Sequence, residues 1–229
     1  MAKYTYGQYC PIAKALDVVG DRWTLLIVRE LLTGMTHFND LERGLPRISR
    51  AVLAQRLRQL QQAGLVTKQV NRSHRNSTAY QLTQAGQDLR GVIMSLRVWG
   101  ETWAFGDPTP EDLDPVLLMW RLQQRVNRDC LPADRIVVQF DFRCARPATF
   151  WLILARADVS ICLTDPGYEI NVLVTADLAV FFKLWAGRIS YQEALITDDV
   201  SVEAIPRLIR AFPEWFGWGA TAAVERHAR

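Results

Sequence analysis

Hydrophobic positions in the first hundred residues recur at helical spacing in short, punctuated runs. Ile12, Leu16 and Val19 stand four and three apart between Cys10-Pro11 and Gly20, which predicts a first helix. Asp21 stands where an N-cap belongs, ahead of a second helix whose apolar stripe is Trp23, Leu26, Ile27, Leu31 and Leu32 and which stops at Gly34. A short third helix is expected over residues 39–44, with Phe38 and Leu41 turned inward. Gly44-Leu45-Pro46 breaks the chain, because proline cannot continue a helix and restricts the residue before it. Ser49 is a good N-cap for the next helix, which runs to about Ala63 with Leu53, Leu57 and Leu60 on one face. Residues 65–68 and 79–82 then read as two strands of a hairpin, joined by the polar loop 71–77. From Thr83 a long helix reaches about Trp99, and its stripe of Leu89, Ile93, Leu96, Trp99 and Trp103 serves either a core or a dimer seam.

The second half has a different rhythm. A helix is predicted over residues 115–127, with Leu118, Leu122 and Val126 on one face, then strands over 135–142, 149–155, 158–163 and 169–174. Val159, Ile161 and Leu163 face one way, as do Ile170, Val172 and Val174, the alternation of an antiparallel sheet with one covered face. Helices over 176–186, 191–196 and 206–212 complete an α+β architecture. Between the halves, Gly106-Asp107-Pro108-Thr109-Pro110-Glu111-Asp112 is polar, acidic and proline-bearing, as a linker is. The expected organisation is a winged helix-turn-helix domain over 1–106, a linker over 107–114, an α+β domain over 115–218 and a tail over 219–229.

Charge sharpens this division. The net charge of +3 over 229 residues conceals halves of opposite sign. Residues 1–106 carry 14 Lys and Arg against 7 Asp and Glu, while 107–229 carry 13 against 17. No acidic residue lies between Arg43 and Asp88, whereas Arg43, Arg47, Arg50, Arg56, Arg58, Lys68, Arg72 and Arg75 are all basic. A block that one-sided suits a phosphate backbone. Opposite the leucine face of the helix after Ser49 lie Ala51, Gln55, Arg58, Gln59 and Gln62, able to meet base edges and phosphates. A solvated helix face on an ordinary bundle would look the same; the hairpin directly after it reads as a wing. The residues expected to meet double-stranded DNA are therefore Arg47, Ser49, Arg50, Ala51 and Gln55, with Arg56 and Arg58 nearer the backbone and Arg72, His74 and Arg75 on the wing.

Other chemistries find little support. Cys10, Cys130, Cys144 and Cys162 form no CxxC pair, which argues against a zinc site and a disulfide framework. With three histidines and no Ser/His/Asp set or phosphate-cradling glycine loop, no catalytic residue, metal or cofactor is expected. The N-terminus lacks the apolar core of a signal peptide and no apolar run approaches a membrane span, so a cytoplasmic protein without a membrane partner is expected.

Two resemblances extend the reading. Residues 9–103 resemble the HxlR family of bacterial winged-helix transcriptional regulators. The resemblance lies in Cys10-Pro11-Ile12, the run from Leu16 to Ile27 through Gly20-Asp21-Arg22-Trp23, and Phe38-Asn39-Asp40-Leu41. It continues in Leu53-Ala54-Gln55-Arg56-Leu57, Ala63-Gly64-Leu65-Val66 and Tyr80-Gln81-Leu82-Thr83. It implies a homodimer paired through its terminal helices that binds a two-fold operator, and it makes Cys10 a candidate redox or electrophile sensor, with Lys14 and Lys3 near in sequence. The second half resembles the sterol-carrier-protein-like fold in Val172-Leu173-Val174-Thr175-Ala176-Asp177, Leu184-Trp185-Ala186-Gly187-Arg188-Ile189-Ser190 and Val200-Ser201-Val202. That likeness implies an apolar pocket for a hydrophobic small-molecule effector, walled by Phe140, Phe142, Phe150, Trp151, Phe181, Phe182 and Trp185. The expected function is a ligand-responsive transcriptional regulator, most simply a repressor. The alternatives are a constitutive repressor whose second domain serves dimerisation or protein contact, and a lipid-binding carrier.

Overall fold

In the computed structural model, helix α1 (Pro11–Val19) starts where proline's fixed φ and missing N–H carry no penalty, and ends as Gly20 N–H donates to the Leu16 carbonyl at 2.8 Å. The structure describes residues 5–71 and 77–218. Its contacts divide the chain into two compact units, Met1–Phe105 and Gly106–Arg229.

In the first unit, α1 buries Ala13 and Val19 and leaves Ile12 and Leu16 exposed, although their spacing pointed inward. Helix α2 (Thr24–Leu32) is not capped by Asp21. Trp23, in the left-handed region at φ 79°, precedes its first residue, and the Asp21 carboxylate is drawn to a guanidinium instead. Helix α3 (Phe38–Gly44) and helix α4 (Arg50–Gln62) follow, and Ser49 Oγ accepts from Val52 N–H at 3.2 Å as the sequence predicts. Strands β1 (Val66–Asn71) and β2 (Ser77–Leu82) pair antiparallel, from Val66 opposite Leu82 to Asn71 opposite Ser77. Helix α5 (Gln84–Trp103) runs four residues past its expected end, with Thr83 Oγ1 accepting from Gly86 N–H at 3.3 Å. Gly86 must be glycine because an added Cβ would lie 2.3 Å from the Leu65 carbonyl oxygen. Ile27, Val28, Leu41, Leu53 and Leu57 are fully buried, each contributing roughly 1.5–3 kcal/mol of transfer free energy.

The second unit is a helical layer on a five-stranded sheet. Helix α6 (Pro115–Gln124), capped by Asp114, ends three residues before the predicted limit. The strands are β3 (Ile136–Arg143), β4 (Ala148–Leu154), β5 (Val159–Cys162), β6 (Val172–Asp177) and β7 (Val200–Ala204), in the order β5-β4-β3-β6-β7. The sheet is mixed, not antiparallel: β3 and β6 run parallel while the other pairs are antiparallel. Alternation reports which face of a strand is buried, not which way its neighbour runs, so this direction was invisible in the pattern. The fourth strand begins at Val172, not at residue 169. Ile170 and Leu163 are exposed, and Asn171 Oδ1 instead accepts from Val137 N–H at 2.8 Å. β7, a strand the pattern had not singled out, closes the far edge. Helix α7 (Leu178–Ala186) starts two residues late, because Ala176 stays in β6 and Asp177 caps the helix by accepting from Val180 N–H at 3.0 Å. Helix α8 (Tyr191–Ile196), helix α9 (Pro206–Ala211) and a 3-10 turn (Phe212–Trp215) complete the unit. One face of the sheet, including Val138, Phe140, Leu152 and Val174, is buried in a common core with Leu118, Met119, Phe181 and Leu184 of the helices.

Candidate nucleic-acid interface

Helix α4 separates its residues by period alone. Leu53, Leu57 and Leu60 are buried, and Ala51, Gln55, Arg58, Gln59 and Gln62 are exposed on the other side. The basic residues beside this face are unlike one another. Arg50 pairs with the Glu42 carboxylate, reaches Asn39 Oδ1 at 3.5 Å and lies 4.9 Å over the Phe38 ring. Arg56 is held more firmly. Its Nη1 lies 2.5 Å from Asp21 Oδ2 and 2.7 Å from Gln59 Oε1, and its Nε donates to the Arg22 carbonyl at 3.2 Å.

Of the residues the sequence assigns to DNA, the structure thus turns Ala51, Gln55 and Arg58 outward on one helix face. It uses Ser49 as a cap and engages Arg50 and Arg56 within the unit. Arg47 is exposed, in the left-handed region at φ 72° in the turn before α4. Arg72, His74 and Arg75 lie outside the described residues. Arg58 reaches electrostatically toward the hairpin: burial pushes the Tyr80 phenol up while the Arg58 charge pulls it down. The root of the hairpin is stitched to α3, since Tyr80 N–H donates to the Thr36 carbonyl at 2.7 Å and His37 bridges Ala79.

Sequence reasoning missed the residues that hold this face in place. Asp21 and Glu42 stand 35 and 8 positions from their arginines, and no local pattern announces such pairs. It also missed Glu30, fully buried and gripped by Arg29 through Nε at 2.8 Å and Nη2 at 2.6 Å. Gly44 packs against that carboxylate so closely that a Cβ would lie 2.5 Å from Glu30 Oε2. Cys10 is half-buried just before α1, in extended conformation, its carbonyl accepting from Lys14 N–H at 2.9 Å. On α5, Leu89 and Ile93 pack on the core, whereas Leu96, Trp99 and Trp103 are exposed.

In the second unit, Phe140, Phe142, Phe150 and Phe181 are brought together, with ring centroids 5.4 to 6.1 Å apart. Trp151 is not among them. It lies on the opposite face of the sheet from Phe150, donating through Nε1 to Gln139 Oε1 at 3.1 Å. Trp185, with Phe182 6.3 Å away, lies under the Arg125 guanidinium, 4.0 Å from the ring centroid. Two open depressions flank this region, one of about 450 Å³ beside Asp141, Arg143, Cys144 and Thr149, the other of about 460 Å³ at residues 187–191. Among the described residues no cluster of three or more His, Cys, Asp or Glu is placed to hold a metal ion, and no helix is long and apolar enough to cross a membrane.

Residues 18–107 match the model of a family described as HxlR-like helix-turn-helix. YvaP of Bacillus subtilis, an HTH-type transcriptional regulator, is 34% identical over 98 residues, covering 42% of this chain and 91% of YvaP. The chain belongs to the HxlR-like helix-turn-helix family. A further relative, an uncharacterized HTH-type transcriptional regulator of Mycobacterium bovis, is 41% identical over 100 residues, which is 44% of this chain and 61% of that protein. The chain therefore spans less than two thirds of that relative's length. The solved structure of reduced YodB from B. subtilis is 31% identical and covers 41% of this chain and 96% of YodB, with a TM-score of 0.38. The HxlR-like match takes in the Asp21–Trp23 turn and α2 through α5; Cys10 lies before it, and from residue 108 onward the chain lies beyond it.

Proposed function

We propose that this protein is a transcriptional repressor that binds double-stranded DNA as a homodimer, through α4 in the major groove and the hairpin as a wing, and that it acts in the cytoplasm. The observation that carries the reading is α4 itself. It is a capped helix, anchored by three buried leucines and two engaged arginines, that presents Ala51, Gln55 and Arg58 outward in a segment without acidic residues. Dimerisation is supported by α5, whose Leu96, Trp99 and Trp103 form an exposed apolar edge at helical spacing. Two copies of α4 would then read half-sites about 34–36 Å apart, or a multiple of that. The second unit, which we read as sterol-carrier-protein-like, takes a hydrophobic small molecule as effector. Such a molecule acts by favouring one spacing of the two recognition helices over another. Selection of genomic fragments with purified protein at physiological salt tests the core of this reading. Enrichment of a two-fold motif supports it; salt-sensitive binding to all fragments alike overturns it.

A further inference from the structure

Trp218 sits in a nest of rings. Its centroid is 5.3 Å from Phe216, 5.9 Å from Tyr191 in near-parallel stacking, 6.1 Å from Phe181 and 6.3 Å from Phe212. Its indole N–H is satisfied, donating to the Pro213 carbonyl at 2.9 Å. Together with Glu193 and the α7–α8 turn (residues 187–191), Trp218 lines the open depression of about 460 Å³.

Two polar atoms of this neighbourhood are buried and unmatched. Tyr191 Oη and Trp215 Nε1 have no hydrogen-bond partner among the described residues. Both rings pack on Phe212, at 6.1 and 5.7 Å. Buried polar atoms are nearly always paired, so two stranded ones side by side mark a requirement the folded chain leaves unfilled. Both groups can donate: the indole N–H does nothing else, and burial pushes the Tyr191 phenol up to about 12, so it keeps its proton at neutral pH. Ser190 and Glu193 are committed to each other, as Glu193 N–H donates to Ser190 Oγ at 3.1 Å and Ser190 N–H donates to Glu193 Oε2 at 2.7 Å. What the depression offers a ligand is thus aromatic surface with an unused donor beneath it.

We propose that the depression at the α7–α8 turn binds an apolar, ring-sized small molecule that carries a carbonyl-type acceptor oxygen. The oxygen accepts from Tyr191 Oη while the apolar body lies against Trp218. The proposal deepens the effector reading above and rests on it, and it moves the site away from Phe140, Phe142, Phe150 and Phe181, whose rings pack against one another.

The test uses the full chain and two probes of matched shape in equilibrium dialysis: 2-acetylnaphthalene, which has the acceptor oxygen, and 2-ethylnaphthalene, which lacks it. The ketone binds at least about tenfold tighter, equivalent to about 1.4 kcal/mol. Tyr191→Phe keeps the ring and its stacking, abolishes that preference and leaves 2-ethylnaphthalene binding unchanged, whereas Trp218→Ala weakens both probes. Equal affinity of the two probes, a preference that survives Tyr191→Phe, or no saturable binding of either overturns the proposal. Binding to a selected DNA fragment, followed in parallel, separates the two readings. A Tyr191-dependent preference for the ketone with no change in DNA affinity keeps the site and removes its effector role. A ketone effect on DNA affinity that is equal in wild type and Tyr191→Phe keeps an effector role and overturns this site.

Discussion

Arg56 Nη1 lies 2.5 Å from Asp21 Oδ2, and this contact joins the middle of α4 to the turn in front of α2. The Arg56 side chain is only 18% exposed, so the pair is partly desolvated, and the same guanidinium also holds the Arg22 carbonyl. An exposed pair contributes little; a forked, charge-assisted one contributes more. Lysine keeps the charge and loses the fork. Arg56→Lys should therefore lower the unfolding free energy in urea by about 1 kcal/mol and weaken DNA binding without altering its salt slope. An unchanged urea midpoint would show that the pair contributes nothing to the placement of α4.

Gln55 and Arg58 share one exposed face but differ in what they offer DNA. Arg58→Ala should weaken binding to selected and random duplexes alike and reduce the salt slope by about 1. Gln55→Ala should cost about 1–3 kcal/mol of discrimination with the slope intact. Salt titrations on both duplexes decide this, and equal losses on both for both variants would contradict the division.

Gly44→Ala should destabilise the first unit by about 1–3 kcal/mol. Its new Cβ would meet the Glu30 carboxylate at 2.5 Å, and Glu30, fully buried and gripped by Arg29, has nowhere to retreat. Thermal melts report the effect; Gly91→Ala, where a Cβ meets nothing within 4 Å, is the control that should melt no lower than wild type.

On α5, Trp99 is 60% exposed and Trp103 75%, in line with Leu96. A charge in that edge would be trapped in an apolar seam. Trp99→Glu should yield a monomer in sedimentation experiments, with thermal stability near wild type and DNA affinity reduced at least about tenfold, since one half-site is lost. A variant that remains dimeric places the interface elsewhere.

Burial raises the Tyr191 phenol from 10.0 to about 12. A group whose value is raised in the folded state contributes stability that is fully present below pH 10.0 and is lost as pH rises through about 12. The fall in stability over that window should be shallower in Tyr191→Phe than in wild type. Parallel pH profiles of the urea midpoint for the two chains would deny the effect.

Much of the first unit is readable from the chain because its determinants are local. The Ser49 cap, the Leu53-Leu57-Leu60 stripe and the hairpin at 66–82 each depend on residues within a few positions of one another, and the charge gap from Arg43 to Asp88 is a property of composition alone. The reading failed where a residue's role depends on a distant one. Asp21 looks like a cap until Arg56 arrives from 35 residues away, and Arg50 looks like a DNA contact until Glu42 claims it.

The sequence by itself determined where helices and strands form, which faces are apolar and which segment is basic, since these follow from backbone propensity, period and charge at short range. Only the tertiary structure decided that β6 runs parallel to β3, that Ile12 and Leu16 face outward, and that Tyr191 and Trp215 are buried beside Phe212 with no partner. The physical reason is that strand direction, ion-pair partnership and the satisfaction of buried polar atoms are fixed by how distant segments close on one another. Hydrophobic periodicity says which side of a segment is buried, but not what it will meet there.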